Sequence, residues 1–484
     1  VMNRKIKIIL LSVLMSLCLV FVGACGETLK VVSVEKTATS GLVDTYTITY
    51  SDGSKFDFTV TNGENGEDAQ SVTLSQAYAE AVANGYSGSY LDFIIECNTQ
   101  DNAAAVSAAM KSAVSVYSEH PVTKTEYYYT PGPFGGWSVS SREVKDLSLS
   151  AGSGIIYKTD DSSVYIVTNY HVVFYKDSDT DNKIGRKLVV YTYGNSDSPS
   201  AVLDDSGNVA TGEDGYPCYE YGSGIQCEYV GGSMVYDIAV LKADAAQFGN
   251  IEIAPVVTAK QVNVGDYVFA IGNPNGSGIS VTGGMVSVDS EYITMTAADD
   301  VTSVVYRALR TDTAINSGNS GGGLFNEKGQ LVGLVNAKLT SPTIENIAYA
   351  VPLSIVRGAA DNIIDGQPSG SQAIEKLNLG VTVASSDSRA EYDALTGKVS
   401  VSERVTVSDV QSGSMGEELG LQQGDIIMRV EIDGTATEIK RAYNVGDAMF
   451  AARKGSAVVI TVARNGETQK LQGVCDASYF TKID

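Results

Sequence analysis

Histidine is almost missing from this chain: His120 and His171 are the only two in 484 residues. A histidine-rich metal site has nothing to be built from. The six cysteines form no C-x-x-C pair and no Cys/His cluster, so thiolate coordination of a metal is equally unsupported. Neither a metal nor a cofactor is expected. Basic residues are scarce, 34 against 57 acidic ones, for a net charge of -23. A surface of that sign repels phosphate backbones, which argues against nucleic acid as a partner; the charge reads as a device for solubility. Proline is rare too, with 10 against 49 glycines, a balance that suits many turns between short strands. Beyond Val22 no stretch approaches the length of a membrane span.

What is present begins with an export signal. Asn3-Arg4-Lys5-Ile6-Lys7 is basic, and Ile8 to Val22 is apolar. That run of about 15 residues falls short of the ~20 a spanning helix needs. It ends in Val22-Gly23-Ala24-Cys25. Small residues directly before a cysteine resemble a bacterial lipoprotein signal, which implies removal of residues 1–24 and lipidation of Cys25. An ordinary cleaved signal or an uncleaved anchor is the other reading. All of them export the chain, and the first tethers it by lipid to the outer face of the cell membrane, extracellular or periplasmic.

The exported part is too long for one core, since domains run to roughly 100–200 residues. Residues 25–100 read as a small β-hairpin and helical spacer module. Val31-Val32-Ser33-Val34, Tyr46 to Tyr50 and Phe56 to Val60 alternate as strands do, and Ser51-Asp52-Gly53-Ser54 is a hairpin turn signal. Asn62 to Asp68 reads as a turn-rich linker, and Leu74 to Cys97 has helical spacing. Residues 101–365 read as one domain that begins helical at Ala103 to Val116 and runs into a first strand; Ala151 to Pro352 are mostly short β-like runs separated by Gly, Asn and Asp, the pattern of an all-β barrel or sandwich. Within this domain, 121–150 is aromatic and glycine-rich and reads as a surface loop. Asp365 to Ser371 reads as a linker, and 366–484 mixes strands with short helices.

Three segments carry chemistry. His171 lies in Thr168-Asn169-Tyr170-His171-Val172-Val173, at the end of a strand-like run. A lone histidine there is more often structural or exposed than catalytic. Asp237 enters the apolar run Ile238 to Leu241, where a charge is costly to bury without a partner; a turn-capping aspartate is the plainer reading. Ser320 sits in Asn316-Ser317-Gly318-Asn319-Ser320-Gly321-Gly322-Gly323. A nucleophilic serine needs a sharp turn and free N–H groups aimed at the oxyanion, and glycine permits both. The order His, Asp, Ser is the one used by the chymotrypsin fold among the convergent triads.

Together these motifs resemble the trypsin-like proteases, and specifically the HtrA/DegP family: T-N-x-H-V around the base, D-I-A-V-L around the acid, G-N-S-G-G around the nucleophile. The likeness extends through Ala151 to Ile156, Ala270 to Pro274, Val332 to Asn336 and Ile347 to Pro352. It implies a mainly β chain with a chymotrypsin-like double β-barrel over 101–365. His171, Asp237 and Ser320 would form the triad, and the backbone N–H groups of Gly318, Asn319 and Ser320 the oxyanion hole. The chain departs from the family at Gly323 and Ser317. It also departs in a long acidic, tyrosine-rich insertion, Asp177 to Met234, where Cys218 and Cys227 are close enough in sequence to close a loop. Trypsin carries an Asp six residues before its serine; Ala314 stands there, so the pocket expected around Ala314, Val335 and Asn336 suits small or medium apolar residues.

The last domain resembles a PDZ domain of α+β type. Ser412 to Leu421 and Gln423-Gly424-Asp425-Ile426-Ile427 carry the likeness, and Leu379, Gly380 and Val381 match its carboxylate-binding loop. Such domains add a peptide to a sheet edge and capture its C-terminal carboxylate. The expected function is a serine endopeptidase that cleaves misfolded or regulatory envelope proteins, with unfolded proteins and C-terminal peptides as partners. The family also implies a homotrimer or a multiple of one. The alternative is a chaperone-like or adhesive lipoprotein using the protease fold as a scaffold, which an intact triad argues against.

Overall fold

The computed structural model describes residues 31–40, 43–51, 53–61, 82, 102–131, 136–195, 197–259, 262–276, 278–336, 347–366, 372–393 and 398–483. The expected leader, Cys25, the linker Asn62 to Asp68 and nearly all of the helical stretch Leu74 to Cys97 lie outside them. The chain divides into two compact units, residues 1–101 with 393–397, and residues 102–392 with 398–484. In the first, β1 (Val31–Ser40), β2 (Val43–Tyr50) and β3 (Lys55–Thr61) form an antiparallel sheet. The Ser51 to Ser54 turn joins β2 to β3, with Gly53 at φ 82, and Ile48 is buried.

The second unit opens with α1 (Asn102–Met110) and a closed six-stranded barrel. Its strands are β4 (Ala113–Pro131), β5 (Trp137–Thr159), β6 (Ser163–Thr168), β7 (Lys187–Thr192), β10 (Ile225–Ser233) and β11 (Ile238–Asp244). The short pair β8 (Ser200–Ala201) and β9 (Tyr219–Glu220) belongs to the insertion. Valine and isoleucine fill the barrel interior: Val116, Ile156, Ile166 and Val190 are all fully buried.

Of the stretch 121–150, residues 121–131 and 137–150 are strand and not loop. β4 and β5 stay paired from Ala113↔Ile155 to Pro131↔Trp137, so the two strands run out of the barrel as a ribbon. Its outer half is exposed on both faces and therefore lacks the in-out alternation that marks a strand. The insertion braces the ribbon's base: Asp179 N–H donates to Pro121 O at 2.7 Å, and Thr123 and Tyr216 both donate to the Asp179 carboxylate. Cys218 and Cys227 are free thiols and do not bridge the insertion.

A second set of strands follows: β12 (Val257–Thr258), β13 (Tyr267–Gly272), β14 (Ser280–Thr296), β15 (Ser303–Thr311), β16 (Gly323–Asn326), β17 (Gln330–Asn336) and β18 (Ala348–Pro352). Pairing of β17 with β18 closes all but β12 into a second barrel. Phe269 and Phe325 stack at 5.6 Å in the hydrophobic core shared by the two barrels. The amphipathic helix α3 (Leu353–Gly366) then buries Ile355, Val356, Ala359, Ala360 and Ile363.

The remainder is an α+β domain. β19 (Ile374–Leu377) pairs with β26 (Phe480–Ile483). β20 (Val381–Asp393), β21 (Lys398–Val410), β22 (Ile426–Ile432), β24 (Ala457–Arg464) and β25 (Glu467–Val474) form the main sheet, with β23 (Thr435–Glu438) on β22. Two short helices, α4 (Met415–Glu418) and α5 (Ala442–Ala448), cover a core of Val405, Leu421, Ile427, Val430 and Ile460. The mainly β double barrel followed by an α+β domain is the architecture the resemblance implies.

Candidate active site

Each of the three motif residues sits where a strand ends. β6 gives way at Asn169 to the single turn α2 (Tyr170–Val173), rooted by the buried Val172 and Val173. His171 is thereby carried at the barrel rim with its side chain 20% exposed. Asn169 ties this turn to the acid: its Nδ2 donates to the Asp237 carbonyl at 2.8 Å.

Asp237 is the residue before β11 and has φ 52, a left-handed backbone that costs an L-residue energy and persists only where surroundings enforce it. Its carboxylate is buried, and three N–H groups converge on it. Oδ1 accepts from the His171 backbone N–H at 2.9 Å. Oδ2 accepts from His171 Nδ1 at 2.7 Å and from Asn336 Nδ2 at 2.8 Å. A carboxylate supplied with donors in this way tolerates burial as an anion. It also leaves Nε2 as the free basic nitrogen of a neutral His171 ring.

Ser320 follows a tight turn in which Asn319 N–H donates to Asn316 O at 3.0 Å while Gly318 has φ 95. A positive φ at the third position marks a type II turn, which only glycine enters without strain. Of the three expected oxyanion donors, the N–H of Asn319 is thus engaged within the turn. Ser153 fastens the turn to the first barrel. Its N–H donates to Ser320 O at 2.8 Å and its Oγ to Gly318 O at 2.7 Å.

Two glycines let the serine turn close on the histidine turn. A Cβ on Gly321 would lie 2.2 Å from Ser153 O and 2.3 Å from Thr168 Oγ1. A Cβ on Gly152 would meet Val172 at 2.7 Å and Ser320 O at 3.1 Å. Neither position has room for a side chain, and the main chain of Ser320 is packed directly against the segment bearing His171.

The three residues expected around a specificity pocket separate. Ala314 is exposed, with its carbonyl accepting from Thr282 Oγ1 at 2.8 Å. Val335 is fully buried in the second barrel's core. The Asn336 side chain turns onto Asp237 and Tyr306 instead of outward, because β17 ends where β11 begins. Ser153, Asn169 and Tyr306 were not singled out by sequence. The first two lie beside recognisable motifs, but nothing in the Tyr306 surroundings distinguishes it.

His120, the other histidine, belongs elsewhere. It is fully buried on β4, its Nε2 lies 2.9 Å from Ser118 Oγ, and burial pushes it down to about 4. In the C-terminal domain, Gly380 adopts φ 68, and a Cβ there would strike Ser414 at 2.2 Å. Leu379, Gly380 and Val381 line a cavity of about 510 Å³ together with Val445 and Met449. The Gly380 N–H donates to Asn378 Oδ1 at 3.0 Å.

Comparison with known proteins agrees with this layout. Residues 152–334 match a trypsin-like peptidase domain and residues 378–472 a PDZ domain. The chain is similar to the serine protease Do-like HtrA of Lactococcus lactis subsp. lactis, 28% identical over 384 residues, covering 77% of this chain and 82% of that protein. It is also similar to a probable periplasmic serine endoprotease, DegP-like, of Rhizobium meliloti, 31% identical over 253 residues, covering 51% and 45%. Among solved structures it is similar to the HtrA-type protease AlgW with decapeptide, at 23% identity and a TM-score of 0.42 over 78% of this chain and 98% of that one.

Proposed function

We propose that this chain, a serine endopeptidase with a trypsin-like peptidase domain, a PDZ domain and HtrA/DegP homologues, cleaves peptide bonds through Ser320, His171 and Asp237. The observation that carries the assignment of roles is the double grip of Asp237 on His171, through backbone N–H and ring Nδ1. It fixes both the tautomer and the ring orientation, so Nε2 can take the Ser320 proton as the hydroxyl attacks the carbonyl. The imidazolium then gives that proton to the leaving amine, and Asp237 stabilises the transient charge. The N–H groups of Gly318 and Ser320 stabilise the oxyanion, each such donor being worth roughly 10²–10³ in rate. Water, deprotonated by His171, releases the acyl group.

The same reading extends outward. Ala314 offers no charge to a Lys or Arg side chain, which supports cleavage after small or medium apolar residues. The PDZ domain supplies peptide binding, with Leu379, Gly380 and Val381 receiving a C-terminal carboxylate. Residues 1–24 act as a leader, Cys25 carries lipid, 25–100 is a spacer, 101–365 the protease and 366–484 the PDZ domain. Substrates are misfolded or regulatory proteins outside the cytoplasm, and the working unit is a homotrimer.

Casein degradation by the wild type and by Ser320→Ala tests the central claim, alongside mapping of a fluorophosphonate label. A loss on the order of 10⁴-fold or more, with the label on Ser320, is expected. Equal rates would end the hydrolytic reading and leave a peptide-binding scaffold.

A further inference from the structure

Asp237 is gripped from a second side, by groups the reaction itself does not use. The Asn336 amide nitrogen has two hydrogens. One donates to Asp237 Oδ2 at 2.8 Å and the other to Tyr306 Oη at 3.0 Å. Asn336 is fully buried, Tyr306 is 2% exposed and Asp237 5%, so bulk water does not substitute readily for any of these bonds. We propose that Tyr306 is a positioning residue for the reaction: by fixing the Asn336 amide, it aims the Asp237 carboxylate at His171.

The physics lies in the amide's two ends. An asparagine side chain can turn over and exchange its N–H₂ for its carbonyl oxygen. Turned over here, the oxygen would face a carboxylate, two acceptors in a site closed to water. The orientation observed needs an acceptor for the second N–H, since an unpaired buried donor is costly. Tyr306 Oη is that acceptor. Burial and the charge of Asp237 both raise the phenol well above its ordinary range, so it stays a neutral dipole at any working pH.

The residue it serves needs the support. Asp237 holds a left-handed backbone at φ 52, and its side chain must span the gap to His171 from that position. Tyr306 itself is anchored on β15 opposite Ile293 and packs in the hydrophobic core shared by the barrels. The link therefore runs from a rigid strand through one amide to the carboxylate. Preorganisation of this kind affects the rate of the chemical step and leaves substrate affinity alone.

The inference rests on the triad reading above, and the test separates the two. Tyr306→Phe keeps the ring and removes only the hydroxyl. On a short peptide ester, kcat should fall roughly tenfold with KM unchanged. The acid limb of the kcat/KM profile should move to lower pH, because an Asp237 aimed less well at His171 holds the imidazolium less strongly. Asn336→Ala should cost more, and Tyr306→Phe added to it should cost nothing further, since the phenol works only through the amide. Wild-type kcat and an unmoved acid limb in a folded Tyr306→Phe would overturn the proposal, as would a full additional loss in the double variant. Ser320→Ala is assayed in parallel: if it is inert while Tyr306→Phe behaves as wild type, only this inference fails. Activity remaining in Ser320→Ala overturns both.

Discussion

The first barrel holds two histidines beside two buried carboxylates, and only His171 is hydrogen-bonded to its carboxylate. At the rim, His171 is hydrogen-bonded to Asp237 and keeps its side chain 20% exposed. On β4, His120 and Glu119 are neighbours in sequence but serve different structures. Glu119 is 1% exposed and takes bonds from Arg186 and from the Tyr221 hydroxyl, both belonging to the insertion. His120 is fully buried against Ser118 and the ring of Tyr175. The residue types are nearly the same in both places. A general base needs an accessible nitrogen, an acid that fixes the other nitrogen, and a reacting partner; a histidine without access is a packing element. Glu119 is the seat on which the insertion docks, and His120 packs behind it.

Breaking the first pair has the largest effect. Asp237→Asn preserves shape but reverses the hydrogen-bond sense at His171 Nδ1, favouring the tautomer whose Nε2 carries a proton. A loss of roughly 10⁴-fold in kcat is expected, with KM little changed and the melting temperature shifted by only a few degrees. A stopped-time peptide ester assay reads it. Activity within tenfold of wild type would mean that Asp237 does not set the His171 tautomer.

Acid should reveal the second pair through stability and not through rate. The His120 ring falls from an ordinary 6.5 to about 4 in the folded protein, because burial disfavours its charged form more than Glu119 favours it. The unfolded chain therefore takes up this proton at a higher pH than the folded one. Stability from a neutral His120 is complete above pH 6.5 and is lost as pH falls from there toward 4. The full swing is about 3 kcal/mol. Urea unfolding at a series of pH values should show this arm, and His120→Phe should flatten it. An acid arm of the same size in His120→Phe would assign the loss to other groups.

The motifs made the rim pair legible before any coordinates. T-N-x-H, D-I-A-V-L and G-N-S-G-G are local, because each needs a particular backbone at one strand end, and the alternating Val and Ile runs announce the barrels that bring those ends together. What stayed hidden depends on crossings between distant strands. Asn336 reads as a pocket residue until β17 is seen to end beside Asp237. Ser153 looks like a packing serine, and only the closing of one barrel on the other puts it on the Ser320 turn. The β4–β5 ribbon was illegible for a different reason. Tyr127, Tyr129, Trp137 and Val139 are exposed and lie among serines and threonines, so no burial pattern separates a strand from a loop. His120 gave no sign of its depth, since Glu-His-Pro is an unremarkable surface string.

The smallest effect sharpens the contrast most, because it should touch stability without touching chemistry. Glu119→Gln keeps an acceptor for the Tyr221 hydroxyl and removes the charge. Arg186, about a quarter exposed, is then left with Asp214 alone, an ion pair 2.6 Å long on the insertion's surface. Water reaches Arg186, so the penalty is below that of a fully buried unpaired charge, about 2 kcal/mol. The unfolding midpoint should drop by that amount, and limited proteolysis should cut first within the insertion as its seat loosens. Removing the Glu119 charge also removes what raises the His120 value, so the acid arm should deepen slightly. Values of kcat and KM measured well below the midpoint should match wild type. A variant as stable as wild type but slower would show that the insertion's seat communicates with the rim, and that the two histidine environments are not independent.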